Sequence, residues 1–122
     1  MTTDTASQET PPPLEFLQFR ETWKQGVELA GQSLFGCQCG EPKFARHWYQ
    51  LTPKLDVMRK ALPNKSQADA AFAAAMASFY NAEEGQKLLK KAGCESFGSL
   101  PNILTHHQRD IIAALFTNYR GW

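Results

Sequence analysis

The stretch FGCQCGEP, residues 35 to 42, sets two thiols one residue apart, Cys37 and Cys39, with His47 a short distance on. Thiolate and imidazole are zinc ligands, and a structural zinc site takes four of them, ordinarily as two separated pairs. The other ligand types in the chain, Cys94, His106 and His107, do not form a second pair of recognisable spacing. His106 and His107 are adjacent, so on a helix they point about 100° apart and do not chelate one ion together. His106 and Asp110 share a helical face, a spacing that is common by chance. Zinc held by Cys37, Cys39 and His47 is therefore the weakest of the alternatives, and no cofactor is expected. As small apolar side chains in a glycine-bounded corner the cysteines need no ion. The pair also lacks the helix start and the βαβ surroundings of redox cysteines.

Catalytic patterns are missing as well. Cys39 and His47 as nucleophile and base would need hydrogen-bond reach and an oxyanion hole, and the spacing suggests neither. The chain has no G-x-S-x-G, no phosphate-loop lysine motif, no H-E-x-x-H and no dinucleotide fingerprint. The adjacent acids Glu83 and Glu84 fall in a polar stretch that solvent should reach. A non-enzymatic protein is expected.

Basic residues carry a second possibility. The net charge is only +1, but residues 43 to 65 hold Lys43, Arg46, Lys54, Arg59, Lys60 and Lys65 against one acid, Asp56, with His47 among them. A helix over 42–51 would put Lys43, Arg46, His47 and Gln50 on one side, and a turn would bring Arg59 and Lys60 nearby. Such a face could neutralise a few phosphates, with Trp48 or Tyr49 stacking on unpaired bases. Nucleic-acid binding through residues 43–60 is thus the alternative function. The plainer account is that an amphipathic helix needs a charged outer face, and that Trp48 joins the core on the Phe44 side.

QKLLKKAGCESFGSLPNIL, residues 86 to 104, resembles the phrasing of helix-hairpin-helix and related small DNA-binding folds. The resemblance implies phosphate contact at the hairpin, with Lys87, Lys90 and Lys91 close by. It departs from those folds at Gly93, which is followed by Cys-Glu rather than by an apolar residue and a second glycine. An ordinary capped helical hairpin accounts for the same residues.

All of these residues depend on helices for their placement. Strand alternation and hairpin dipeptides are absent, so an all-α compact bundle of five or six short helices is expected. Phe16, Phe19, Trp23, Val27, Ala30 and Leu34 recur at threes and fours, with Gly31 or Gly36 as the stop. Pro42 should open the next helix and Leu51 close it. Thr52-Pro53 should start another, with Leu55, Met58 and Leu62 buried and Pro63 at its end. Ser66 caps an alanine-rich helix carrying Phe72, Met76, Phe79 and Tyr80, whose small faces place it at the centre of the fold. Glu84 to Ala92 continues it or starts afresh, with Gly93 as a left-handed cap. A short turn follows Ser99, and Thr105 with Gln108 forms a capping box before a last helix bearing Ile111, Ile112, Leu115, Phe116 and Tyr119. The aromatic end, Trp122, should be packed.

Residues 1–13, MTTDTASQETPPP, lack large apolar side chains other than Met1, so they are expected to be a disordered tail before a single helical domain at 14–122. They have no basic and apolar regions of a secretory signal. No apolar run approaches the roughly 20 residues that span a bilayer. Three cysteines cannot all pair within one chain, which points to a reducing compartment and a cytoplasmic location. Eight Phe, three Trp and three Tyr exceed what a core of this size needs. A surface that keeps two or three of them exposed would suit a protein-interaction module or a homodimer. That accessory role, with an unknown protein or a second copy as partner and no membrane, is the leading expectation.

Overall fold

The computed structural model describes residues 13–37 and 40–122. Six α-helices form among them: α1 (Leu14–Ala30), α2 (Leu55–Ala61), α3 (Gln67–Tyr80), α4 (Ala82–Lys91), α5 (Leu100–Ile103) and α6 (His106–Asn118). No strand forms among the described residues. The expected all-α bundle is what the chain builds.

Helix α3 lies at the centre, as its composition predicts. Every residue from Ala70 to Ala77 is buried, because alanine faces let neighbours approach from several sides. Ser66 Oγ accepts the Asp69 N–H at 3.1 Å and caps the helix. Asn81 then ends α3 and caps α4, accepting the Glu84 N–H through Oδ1 at 3.0 Å. An extended Asn81 therefore separates two helices that the sequence alone left joined or split. Gly93, with φ of 88°, takes the left-handed turn after α4, where a side chain would be strained.

Helix α1 packs along α6 and across α3, burying Phe19, Trp23, Gly26, Val27 and Ala30. It stops at Gly31, whose φ of 117° admits no continuation, so Leu34 is buried from a following 3₁₀ turn rather than from the helix. The chain end packs as expected. Trp122 lies edge-on to Trp23 at 5.0 Å and to Tyr80 at 5.2 Å, and Arg120 reaches Glu15 at 3.0 Å.

Two expectations fail between α1 and α3. Residues 42–51 form no α-helix but two 3₁₀ turns, Pro42–Phe44 and Trp48–Gln50, with Ala45 and His47 extended. The side-chain oxygen of Gln50 explains the break. It accepts the N–H groups of Arg46 at 2.8 Å and His47 at 3.2 Å, donors that an α-helix would have sent to Pro42 and Lys43. Burial follows a different face, with Pro42, Ala45 and Leu51 inside and Phe44 60% exposed. Nor does Thr52 cap α2. Its hydroxyl donates to the Tyr49 carbonyl at 2.9 Å, and Pro53 pairs with Phe35 in an isolated antiparallel bridge. Gly36 N–H to Thr52 O at 2.7 Å and Lys54 N–H to Leu34 O at 2.8 Å pin both ends of the intervening segment. Phe35 and Gly36 are thus tied to Thr52 and Pro53, and no α-helix begins at Pro42 for a corner to lead into.

Candidate functional site

The residues expected to form a basic helical face divide into two places. Lys43, Arg46, His47 and Gln50 ride on the 3₁₀ turns that rest on α1. Lys43 lies 5.2 Å from the Phe44 ring centroid and 3.9 Å from Glu41. The Arg46 carbonyl accepts from Arg20 at 3.3 Å. His47 stacks on Tyr49 with ring centroids 4.8 Å apart, and the edge of Phe16 closes its other side at 5.6 Å. Gln50 spends its side-chain oxygen on the turn itself. Trp48 is half-buried against Phe16 and Phe19 rather than presented for stacking. The expectation of one helical face over 43–60 is corrected accordingly. Arg59 and Lys60 belong to the last turn of α2, and the partners of Arg59 are Asp56 beside it and Glu84 of α4, the latter at 2.8 Å.

The metal alternative gains no second pair. Cys37 is half-buried against the core, Cys94 is buried with Sγ 3.2 Å from the Ser96 carbonyl, and Cys39 lies outside the described residues. Among the described residues no three His, Cys, Asp or Glu side chains converge as a metal site would require. His106 and Asp110 meet at 3.4 Å on an exposed face, an ordinary pairing one helical turn apart.

The surface with a shape of its own lies elsewhere. Phe97 projects from the 3₁₀ turn before α5, 72% exposed, and Phe116 projects from α6, 55% exposed. Their rings meet edge to face at 5.8 Å. A hollow of about 220 Å³ lies between them and α5, lined by Leu100, Pro101, Leu104, Ile112 and Ala113 with Arg109 at one edge. A second hollow, of about 120 Å³, is lined by Phe116 together with Ala75, Phe79, Leu89 and Ile112, and opens toward α3 and α4. Phe79 packs edge-on against Phe116 at 5.2 Å. Glu95 lines a further hollow with Phe97, and neither its carboxylate nor the Arg109 guanidinium has an ion-pair partner among the described residues.

Sequence reasoning counted Phe116 among the inward positions of α6 and gave Phe97 no role. A signal for Phe97 was present. It sits in ESFGS, a polar turn with no helical period to carry a ring inward. Phe116 gave less warning, because it follows the buried Ile111, Ile112 and Leu115 in what looks like one stripe.

No protein-family model matches the chain, and neither does any curated protein or solved structure. Among the described residues no helix is long and apolar enough to cross a membrane.

Proposed function

We propose that this chain is a non-enzymatic helical interaction module and that the Phe97–Phe116 face docks a second copy of the same chain. The observation that carries this reading is the pairing of two projecting rings with two apolar hollows on a single face. A two-fold interface uses one patch twice, so it needs a patch that offers both knobs and holes. Charge supports the same occupant. Glu95 and Arg109 stand at the edges of the face without an ion-pair partner among the described residues, and a two-fold copy would bring the opposite sign to each. Aromatic anchors seated in hollows are also where interface energy concentrates.

Sedimentation equilibrium across a concentration series tests the reading. A reversible dimer is expected, and Phe116→Glu should leave monomer with unchanged helical content. Glu95→Arg and Arg109→Glu should each weaken the dimer, and the double variant should recover it. A wild-type monomer at every concentration overturns self-docking, as does a dimer that ignores Phe97→Ser and Phe116→Glu.

A further inference from the structure

Cations distant in the sequence meet in a cleft between α2 and α4. Arg59 of α2 and Lys87, Lys90 and Lys91 of α4 line it, with Leu88 and one carboxylate, Glu84, around a volume of about 290 Å³. The two groups of basic residues noted separately along the chain thus contribute to one place, and Lys43 and Arg46 are not among its lining. Glu84 organises half of it. Its carboxylate accepts from Arg59 at 2.8 Å and from Lys87 at 3.2 Å, holding a guanidinium and an ammonium side by side. The other acids in reach, Asp56 and Glu83, lie against Arg59 and Lys87, which leaves Lys90 and Lys91 without an ion-pair partner among the described residues.

The last turn of a helix favours cations on its own account, which would explain Lys90 and Lys91. The same preference covers Arg59 in the last turn of α2, but neither helix alone dictates that the two ends line one cleft. The terminal nitrogens of Arg59 already bond Asp56 and Glu84, so it contributes charge rather than a free fork, while lysines at 87 and 91, one turn apart, are spaced for successive phosphates along a strand. We propose that this cleft is a phosphate-binding site and that its ligand is single-stranded nucleic acid. The cleft shares no lining residue with the Phe97–Phe116 face, so the two sites stand or fall separately.

The test is fluorescence anisotropy of a labelled single-stranded oligonucleotide titrated with the full chain over a range of salt, with inorganic polyphosphate as competitor. Wild-type affinity should fall linearly with salt on logarithmic axes. Lys87→Gln and Lys91→Gln should each weaken binding several-fold at low salt and reduce the slope by about 0.7 for each phosphate left without its cation. Glu84→Gln should tighten binding, since it removes the carboxylate that competes for Arg59 and Lys87. Lys43→Gln with Arg46→Gln should bind like wild type. No anisotropy change at the lowest salt overturns the site, as does equal binding by the Lys87 and Lys91 variants. Displacement by polyphosphate at matching phosphate concentration overturns the nucleic-acid assignment.

Discussion

Gln108 Nε2 donates to Asp69 Oδ1 at 2.9 Å, while Gln108 Oε1 accepts the Thr105 N–H at 3.0 Å. One buried amide therefore closes the capping box of α6 and ties that helix start to the first turn of α3. Glutamate is a usual residue at this position of a capping box, so Gln108→Glu would keep the local cap and set a second carboxylate against Asp69. The variant should lose about 1–3 kcal/mol of stability at neutral pH. Exchanging the polarity with Asp69→Asn in the same chain should restore most of the loss, because the new side-chain amide can donate where that of Gln108 did. Urea unfolding of the four members of this cycle measures the coupling.

Gly85 allows α4 to lie against α3. A Cβ there would stand 2.5 Å from Ser78 Cα and 2.7 Å from its backbone nitrogen, distances that only a shift of backbone relieves. Gly85→Ala should therefore destabilise by about 1–3 kcal/mol, although alanine is the better helix former. Gly26 provides the contrast. Its imagined Cβ meets only the flexible end of Met76 and, at ordinary contact distance, Ile111, so Gly26→Ala should cost less when the two variants are compared by thermal unfolding.

Much of this architecture was legible because burial and local chemistry agree. The three-and-four spacing of Phe19, Trp23 and Val27, the Ser66 and Thr105 caps, and the alanines of α3 each predict what forms. Residues 42–51 were not legible. PKFARHWYQL has helical spacing, but the side-chain oxygen of Gln50 and the burial of Pro42, Ala45 and Leu51 decide its conformation, and no local pattern announces either. The cation cleft was hidden for a related reason. Glu84 and Lys87 lie one turn apart on α4, but Arg59 is far from both in the chain, and only the packing of α2 on α4 brings it to Glu84. Its components were visible as basic residues, but their meeting was not.

The two tryptophans at the α1 surface differ in their polar ends. Trp23 Nε1 donates to the Leu51 carbonyl at 2.9 Å in the core, whereas Trp48 Nε1 is buried with no hydrogen-bond partner among the described residues. Replacement by Phe removes a bond in one case and an unsatisfied donor in the other. Trp23→Phe should therefore be the more destabilising by about 1–3 kcal/mol, since it also orphans a buried carbonyl. Equal losses in chemical unfolding would contradict this.

Glu84 should shape the acid limb of stability. The hydrogen bond from Arg59, and after it that from Lys87, hold its carboxyl below the usual carboxylate range. A group depressed in the folded state contributes its full stabilisation above the unfolded-state pKa and loses it as pH falls through the folded value. Glu84→Gln should therefore lower stability at neutral pH and narrow its gap to wild type as the solution is acidified past the carboxylate range. Arg59→Gln should shift the Glu84 carboxyl back up and reproduce part of that flattening, because Lys87 remains. Carboxylate titration followed by NMR on wild type and Arg59→Gln reads the shift directly, and an unmoved Glu84 would show that Arg59 is not its cause.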